Sequence, residues 1–348
     1  MVNEFDLNHN TDRIKLKKSE VNPCIYLKKP SVYMTRYIPK AVEILSASCD
    51  LTVHKGRAFP SKKDIIKNVS NKDGLLCSLS DVIDNEVIVA TKKLRVISSY
   101  SVGYDHIDID TATRYGICVT YTPEVLTETT ADLAFTLLLT TARRITEADV
   151  LVRSGQWRSG WKYDFMLGSD INGKTLGIIG LGRIGSAVAK RSNGFKMRVL
   201  YHDRNRLPIE KEDELAVEYR SLEDLLKESD FVSIHLPLNN DTFHLFNEQK
   251  LKLMKPTSYL INTARGSIID EKALIRALKQ KWIAGAGLDV FETEPISRNN
   301  LLLKMNNIVL APHVGSSTTE TREKMAEVAA MNLLNVLNGK KPLYEVKS

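Results

Sequence analysis

The chain has 348 residues, 43% of them hydrophobic, which is enough for a large core and favours two domains over one. Its longest uncharged apolar stretch, at 133–142, has about half the length of a membrane-spanning helix, so we expect no membrane partner. The net charge of +7 is spread over 49 basic and 42 acidic residues without a long basic block, which favours small anionic ligands over nucleic acid.

Residues 1–23 are predicted to be a mobile lead-in. They mix acidic with basic side chains and lack the apolar segment of a secretory signal. The four cysteines, Cys24, Cys49, Cys77 and Cys118, form no closely spaced pair, so they indicate neither a disulfide framework nor a metal site. This cysteine usage fits a reducing cytoplasm.

Short apolar runs alternate with polar helical stretches between residues 24 and 123. The strand candidates are CIYLKK, LTVHK, GLLCSL, RVISSYS and ICVTYTP, and the helical stretches include PKAVEILSA and SKKDIIKNV. Strands that alternate with helices in this way form parallel sheets. The first part of the chain is therefore predicted to be an α/β unit.

A long helix is predicted from Thr127 to Gly155, where the sequence reads TETTADLAFTLLLTTARRITEADVLVRSG. We expect threonine side chains to cap its start, because hydroxyls accept hydrogen bonds from free helix amides. Gly155 should stop it, since glycine adopts the left-handed turn that ends helices. The two faces of this helix indicate a connector packed between two units.

A second series of strands and helices begins after Gly173. Its six strand candidates, which form a full doubly wound sheet, are TLGIIG, MRVLYHD, FVSIHLP, SYLINTA, AGAGLDV and NNIVLAP. Ser221 and Asp224 form a predicted capping box, and Asp270 opens the helix EKALIRALKQK. The last helical stretch ends at Gly339. We expect it to return to the first unit, which gives two crossings between the domains.

Three glycines, Gly180, Gly182 and Gly185, lie between a predicted strand and a predicted helix in GIIGLGRIGSAVAK. Gly180 suits a tight turn, Gly182 allows a close approach of the backbone to a pyrophosphate, and Gly185 allows close packing of helix on strand. The phosphates would lie at the positive end of the helix. The candidate cofactor-binding residues of this loop are Gly180, Leu181, Gly182, Arg183 and Ile184. A glycine-rich turn without a ligand is the plainer alternative.

Asp203 ends the next predicted strand, 18 residues after Gly185, near the spacing at which a carboxylate binds the adenosine ribose. A carboxylate there would repel a 2′-phosphate, so it indicates NAD. Arg204 and Arg206 favour the phosphate of NADP instead, and Asn205 between them is a further candidate contact. We expect NADH, with NADPH left open.

Three ionisable residues, Arg265, Glu294 and His313, follow the last predicted strands of the second series. Because ligands of doubly wound sheets lie beyond the carboxyl ends of the strands, one crevice can hold all three. We expect a bound anion, and not a protein carboxylate, as the partner of Arg265, whose donors would hold a 2-oxo acid. His313 would donate the proton, Glu294 would set its tautomer, and the cofactor would supply the hydride. The plainer alternatives are a surface ion pair for Arg265, a turn residue for Glu294 and a structural role for His313.

Six motifs occur in one order along the chain: SVGYDHIDID, YTPEVLTETTADLA, GIIGLGRIG, INTARGSIID, AGAGLDVFETEP and LAPHVGSST. They resemble the D-isomer-specific 2-hydroxyacid dehydrogenase family, most of all its glyoxylate and hydroxypyruvate reductases, from about Pro23 to about Leu343. The resemblance implies a flavodoxin-like substrate domain at 24–123 and 312–348, and a Rossmann cofactor domain at 124–311. It places the active site in the cleft between these two doubly wound domains. The family's catalytic arginine, glutamate and histidine fall on Arg265, Glu294 and His313.

The resemblance also implies residues that bind the substrate and the cofactor. The substrate carboxylate would be bound by the backbone amides of Val102 and Gly103, with Leu79 on the facing loop, and an unshielded glycine suits amide donors. Thr129 is the implied contact to the cofactor phosphate, and Thr263 and Ala264 are the implied contacts to the nicotinamide ribose. Asp289 would bind the carboxamide, and Gly315 would lie beside the nicotinamide ring. A turn residue at a strand end is the plainer explanation for Asp289.

Two segments bear on loop geometry and assembly. The spacing of 19 between Glu294 and His313 is one residue longer than is usual in the family, which predicts an altered intervening loop. The segment WRSGWKYDFMLG resembles the family's dimer loop, in which an aromatic residue reaches the partner's substrate pocket. Trp161 is the candidate, with simple interface packing as the alternative. We therefore expect a homodimer.

The sequence thus predicts an enzyme that reduces glyoxylate, and hydroxypyruvate, with NADH or NADPH. A D-lactate or phosphoglycerate dehydrogenase of the same family is the alternative among enzymes. An NADH-responsive corepressor-type binding protein is the alternative outside them, since such relatives keep the three catalytic residues. The chain has no basic recognition segment, which favours the enzyme.

Overall fold

Two parallel sheets organise the residues that the computed structural model describes, 29–56 and 58–347. The first sheet has the strand order β2-β1-β3-β4-β5, which is the flavodoxin-type order. Its strands are β1 (Ser31–Met34), β2 (Asp50–Val53), β3 (Gly74–Cys77), β4 (Val96–Ser99) and β5 (Cys118–Thr120). The helices that connect them are α1 (Pro39–Ser48), α2 (Lys62–Val69), α3 (Asn85–Val89) and α4 (Ile109–Arg114).

The first strand of this sheet differs from the sequence prediction. The structure forms it from SVYM, whose four residues are all buried, and not from CIYLKK. Lys29 of CIYLKK is not in a strand, and residues 24–28 lie outside the described residues. A strand covered on both faces gives a short apolar run without alternation, so its position is difficult to locate from the sequence. The other four strand candidates each overlap an observed strand.

The second sheet has seven parallel strands in the order β12-β11-β10-β9-β6-β7-β8, the doubly wound Rossmann order with one strand added at the β12 edge. Its strands are β6 (Thr175–Ile179), β7 (Arg198–His202), β8 (Val217–Tyr219), β9 (Phe231–Ile234), β10 (Tyr259–Asn262), β11 (Gly285–Leu288) and β12 (Ile308–Leu310). The six predicted strands are confirmed. The sequence prediction missed β8, which is three residues long and exposes Glu218 at its centre, as edge strands do.

The sequence indicated where three helices begin, after the glycine loop, Ser221 and Asp270, among the five α-helices that lie between β6 and β12. The five helices are α7 (Arg183–Ser192), α8 (Ile209–Leu215), α9 (Leu222–Glu228), α10 (Glu248–Leu253) and α11 (Glu271–Lys279). The side chains of Ser221 and Asp270 accept hydrogen bonds from the amides of Asp224 and Ala273, which confirms both as N-caps. The two α/β domain types are therefore confirmed.

The long helix predicted from Thr127 to Gly155 is two helices, α5 (Thr127–Ala142) and α6 (Ile145–Arg153). The break lies at Arg144, whose φ of 55° is left-handed, and whose guanidinium binds Glu147 at 2.6 and 2.9 Å. The expected threonine cap is also wrong, because Leu126 occupies the N-cap position and makes no side-chain hydrogen bond there. Helix α5 packs against α7, β10 and β11, so it covers the second sheet.

The last helix, α12 (Thr319–Leu337), packs against α1, β3 and β4 of the first domain. The Ser98 hydroxyl on β4 donates to the Ala329 carbonyl at 2.8 Å and fixes the helix on the sheet. This contact confirms that the chain returns to its first domain. The boundaries at 123/124 and 311/312 stay a prediction. Among the described residues, no helix is long and apolar enough to cross a membrane.

Candidate active site

The carboxyl ends of both sheets face one cleft of about 530 Å³. Parallel strands end at the same edge of their sheet, so loops far apart in the chain meet there. The first sheet contributes Leu79, Val102 and Gly103 from the loops after its strands. The second sheet contributes Gly182, Arg183, Ile184, Thr263, Ala264, Arg265 and Asp289, and the loop after β12, beyond the predicted boundary at 311/312, contributes His313 and Gly315. Most residues expected to contact substrate or cofactor therefore lie around one space.

His313 and Glu294 form a hydrogen-bonded pair beside this cleft. Nδ1 of His313 lies 2.7 Å from Oε2 of Glu294, and the other carboxylate oxygen accepts a hydrogen bond from the Phe291 amide at 3.0 Å. Burial raises the pKa of Glu294, but the hydrogen bond and charge of His313 outweigh it, so the net pKa is lowered. Glu294 is thus held as a carboxylate next to the ring. The extra residue in the loop does not separate the two side chains.

Asp289 organises the backbone that carries His313. Its two carboxylate oxygens accept hydrogen bonds from the amides of Val314 and Gly315 at 2.7 and 2.8 Å, and its carbonyl accepts from the His313 amide at 2.8 Å. His313 has a left-handed φ of 54°, which a histidine adopts only when its surroundings hold it there. Burial raises the pKa of Asp289, and the two amides oppose that rise. The implied contact to a carboxamide stays a prediction.

Arg265 has a protein carboxylate as its partner, contrary to the sequence prediction. Its Nε donates to Asp105 at 3.0 and 3.2 Å, and its Nη2 lies 3.0 Å from Oδ1 of Asp105. Asp105 follows β4 in the first domain, whereas Arg265 follows β10 in the second, so the ion pair crosses the cleft. The prediction failed because it considered only the strand ends of the second sheet.

Gly103 lies directly against this guanidinium. A Cβ atom at position 103 would come within 1.7 Å of Nη2 of Arg265 and 2.9 Å of Oδ1 of Asp105. Any other residue would therefore push the ion pair away from the loop. Glycine at this position lets the arginine approach the backbone amides of Val102 and Gly103.

The glycine loop fits a dinucleotide. Gly180 has a φ of 90°, and a Cβ at Gly185 would lie 2.2 Å from the Gly180 carbonyl oxygen, so turn and packing both need glycine. Gly182 is the N-cap of α7 without a side-chain hydrogen bond, and a Cβ there would meet nothing within 4 Å. The first amides of α7 thus face open space beside the cleft, as phosphate binding requires.

Asp203 is held at the end of β7, next to the glycine loop. Its carboxylate accepts hydrogen bonds from the amides of Leu181 at 2.8 Å and Arg204 at 2.7 Å. The side chains of Arg204 and Asn205 are exposed. Arg206 is engaged elsewhere, because its Nε and Nη2 donate to Glu212 at 2.8 and 2.9 Å.

Eight of the expected site residues do not line the cleft of this single chain: Glu294, which binds His313, the residues Gly180, Leu181, Asp203, Arg204 and Asn205 in and next to the glycine loop, and Thr129 and Trp161. The Thr129 hydroxyl lies 2.6 Å from that of Thr321 on α12, while Thr127 and Thr130 line the cleft. These two threonines lie three positions apart and so share a helix face, a spacing that could have identified them. Trp161 is 86% exposed. The sequence reasoning also missed Asp105, although it stands in the quoted motif SVGYDHIDID.

Comparisons with known proteins agree with this geometry. A sequence model described as "D-isomer specific 2-hydroxyacid dehydrogenase, NAD binding domain" matches residues 135–315. A glyoxylate reductase of Korarchaeum cryptofilum is 53% identical over 318 residues, which are 90% of this chain and 95% of that protein.

Solved structures show the same architecture. A Thermus thermophilus protein has a TM-score of 0.85 at 45% identity, over 91% of this chain and all of that one (100%). An NADPH-dependent glyoxylate/hydroxypyruvate reductase of Sinorhizobium meliloti, in complex with NADP and malonate, has a TM-score of 0.80 at 31% identity. That match covers 92% of this chain and 97% of the Sinorhizobium chain.

Proposed function

Because the chain belongs to the D-isomer-specific 2-hydroxyacid dehydrogenase family, we propose that it reduces glyoxylate, and hydroxypyruvate, with NADH. It is an oxidoreductase with an NAD-binding domain. The observation that carries the proposal is the meeting of Arg265, the His313–Glu294 pair and the glycine loop around one cleft. These groups are those that reduction of a 2-oxo acid needs: an anion clamp, a proton donor and a dinucleotide site.

The substrate carboxylate binds the backbone amides of Val102 and Gly103, below Leu79, and Arg265 holds the carbonyl oxygen. Arginine suits this task because its planar fork of donors makes two-point contacts with oxygen pairs. A 2-oxo acid held in this way keeps its carbonyl carbon in one orientation. The similarity of the chain to glyoxylate reductases supports glyoxylate as the 2-oxo acid.

His313 donates the proton to the carbonyl oxygen from Nε2, because Nδ1 is bound to Glu294. The Glu294 carboxylate favours the doubly protonated ring and so keeps a proton available on Nε2. When bound, the reduced nicotinamide supplies the hydride to the carbonyl carbon. His313 becomes neutral as the 2-hydroxy acid forms, and it takes a proton from solvent before the next turnover.

For the cofactor, the amides of Arg183 and Ile184 and the backbone of Gly180 and Gly182 would hold the phosphates, and Leu181, whose amide donates to Asp203, would lie beside them. Thr263, Ala264 and Gly315 would lie at the nicotinamide end, and Asp203 with Asn205 would bind the adenosine ribose. Thr129 stays a proposed phosphate contact through the helix turn that it shares with Thr130, because it is Thr130 whose side chain lines the cleft.

NADH is the proposed preferred cofactor. The Asp203 carboxylate would repel a 2′-phosphate, and Arg206, which could have offset that repulsion, is already paired with Glu212. Glu212 is buried, and it also accepts a hydrogen bond from the Tyr201 hydroxyl at 2.6 Å, so this pairing is firmly held. Arg204 remains exposed and allows slower use of NADPH.

We propose a cytoplasmic homodimer that forms through α6 and the segment that follows it. Apolar side chains cluster there at the surface: Ile145, Val150, Val152, Trp157, Trp161, Tyr163 and Leu167. Trp161 and Tyr163 expose 86% and 83% of their surface. Large aromatic side chains exposed to this degree are typical of protein interfaces.

The decisive experiment follows the loss of NADH absorbance with a panel of 2-oxo acids: glyoxylate, hydroxypyruvate, pyruvate and phosphohydroxypyruvate. Each acid is tested with NADH and with NADPH. The proposal requires the highest kcat/KM for glyoxylate with NADH. A preference for pyruvate or phosphohydroxypyruvate would indicate a lactate or phosphoglycerate dehydrogenase. Binding of NADH without turnover of any acid would indicate a corepressor-type protein.

A further inference from the structure

We propose that Asp105 is a positioning residue for Arg265, which it holds across the cleft in the orientation that receives the substrate. This inference rests on the proposed function, since it assigns a role in the same site. The two residues are 160 positions apart and belong to different domains. Their side chains are only 29% and 21% exposed, so water competes with the contact less than at an open surface.

The geometry of the pair leaves donors for a ligand. A guanidinium has five N–H groups. Asp105 accepts from Nε and lies beside one face of Nη2, and the Ala264 carbonyl accepts from Nη1 at 2.8 Å. These contacts use at most three donors, so at least two remain without a partner in the part of the chain that the structure describes. Asp105 therefore orients the arginine without occupying it fully.

Hydrogen bonds among neighbouring residues also hold the loop that carries Asp105. The Ser99 hydroxyl lies 2.7 Å from that of Ser101 and 3.2 Å from Nε2 of His106, and Ser101 donates to the Gly103 carbonyl. Burial lowers the pKa of His106 to about 4, so its ring is neutral near pH 7. A neutral ring can remain in this buried chain of hydrogen bonds. The chain holds His106, and through it the neighbouring residue Asp105, in place.

The same loop presents the amides proposed to bind the substrate carboxylate. Because Nη2 lies so close to Gly103 that a Cβ would not fit, the guanidinium and these amides share one small space. The Asp105 carboxylate thus sets the distance between the two groups that hold a 2-oxo acid. The pair joins a loop of the first domain to a loop of the second, so the orientation of Arg265 depends on how the two domains face each other across the cleft.

A purely structural ion pair is the competing explanation, and it predicts different behaviour. A single, partly exposed pair contributes little to folding stability. Misplacement of a substrate-binding group by about 1 Å, in contrast, can reduce turnover about 100-fold. Substrate kinetics therefore distinguish the two explanations, whereas the unfolding transition does not.

The test compares Asp105→Asn and Asp105→Ala with the wild type, with Asp110→Asn as a matched control. Asp110 is an exposed aspartate close by in the chain, without a side-chain hydrogen bond in the described structure. We expect both Asp105 variants to lower kcat/KM for glyoxylate by about 10- to 100-fold, with an unchanged Kd for NADH from fluorescence titration. Asp105→Glu should recover part of the loss, and Asp110→Asn should match the wild type.

A second background shows whether Asp105 acts through Arg265. In Arg265→Ala, the further change Asp105→Asn should have almost no effect on kcat/KM, because the group that it positions is gone. An equal loss in both backgrounds would overturn the proposal, as would wild-type kinetics for Asp105→Asn.

Binding of oxamate, a non-reducible analogue of a 2-oxo acid, separates this inference from the proposed function. We expect Asp105→Asn to weaken oxamate binding to the NADH complex about 10-fold. If the wild type reduces no 2-oxo acid but oxamate binding still depends on Asp105, the function is wrong and the positioning role stands. If the wild type reduces glyoxylate and Asp105→Asn binds oxamate normally, the positioning role is wrong.

Discussion

His313 turns Nδ1 towards Oε2 of Glu294, at 2.7 Å, and leaves Nε2 as the nitrogen that can meet a substrate. The pair is assembled by two loops that follow different strands, β11 and β12. A histidine bound in this way to a carboxylate has a fixed tautomer and a fixed ring orientation. Both properties are required of a general acid whose proton must reach one oxygen atom.

Replacement of His313 should remove turnover but keep binding. We choose His313→Asn because asparagine tolerates the left-handed φ of 54° at this position, so the backbone is not strained further. Loss of a general acid typically lowers kcat by about 100- to 10,000-fold. Steady-state kinetics with glyoxylate should show this loss, while the Kd for NADH stays at the wild-type value. Wild-type turnover would show that another group donates the proton.

Replacement of Glu294 should change the pH dependence of the enzyme. The hydrogen bond and charge of His313 lower the pKa of Glu294, so the carboxylate and the ring are coupled, and Glu294→Gln, which removes the negative charge, should move the alkaline limb of kcat/KM to lower pH. The direction follows from the sign of the lost charge. Glu292→Gln is the matched control, since Glu292 also pairs with a histidine, His244, at 2.9 Å. An unchanged limb in Glu294→Gln, or an equal shift in the control, would contradict the assignment.

The sequence could predict most of the fold because its signals are local. The glycine loop, most of the apolar strands and the caps at Ser221 and Asp270 each depend on a few neighbouring residues, and the structure has them. The first strand is the exception, since it forms from SVYM and not from CIYLKK. The break at Arg144 was missed because a single left-handed residue leaves the helical pattern of apolar residues nearly intact. The edge strand β8 was missed because three residues with an exposed glutamate carry no clear periodicity.

The site was less predictable where it depends on how the two domains face each other. Arg265, Glu294 and His313 follow strands of one sheet, so the strand order alone brings them together. Asp105 comes from the other sheet, and its contact with Arg265 depends on the placement of one domain on the other. No local pattern encodes that placement. Thr129 shows a related limit, because a helix pattern identifies a face only when its rotation against the sheet is known.

Asp289 should contribute to stability through its two backbone contacts. Asp289→Asn replaces one acceptor oxygen by an NH₂ group, so either the Val314 or the Gly315 amide faces another donor in a buried position. An unsatisfied buried amide costs about 1–3 kcal/mol. Urea unfolding should show a loss of this size, and Asp110→Asn, at an exposed site, should stay within about 0.5 kcal/mol of the wild type. A loss below that control value would mean that the loop relaxes around the amide.

Glu212 should influence the choice between NADH and NADPH. Glu212→Gln removes the charge that binds Arg206 but keeps an acceptor for the Tyr201 hydroxyl, so the arginine becomes free to approach a 2′-phosphate. We expect the ratio of kcat/KM for NADPH to that for NADH to rise about 10-fold, the value of one charge-assisted hydrogen bond. Glu218→Gln is the matched control, because it removes a carboxylate that pairs with Arg198 and Arg220, and both arginines keep their pairing with Glu228. An unchanged ratio would show that Arg206 cannot reach the phosphate.

Trp161 should act in the active site of the partner subunit. In one chain its side chain is 86% exposed, and it lies in the segment after α6 that we propose as the dimer face. If the indole completes the partner's substrate pocket, Trp161→Ala should lower kcat/KM for glyoxylate in every homodimer. A heterodimer of Trp161→Ala with Arg265→Ala would then contain one intact site, formed by the arginine of the first chain and the tryptophan of the second. Activity after the two variants are mixed and allowed to exchange subunits should therefore exceed the mean of the two separate activities. If Trp161 serves its own chain, neither site of the heterodimer is complete, and mixing should leave the activity at that mean.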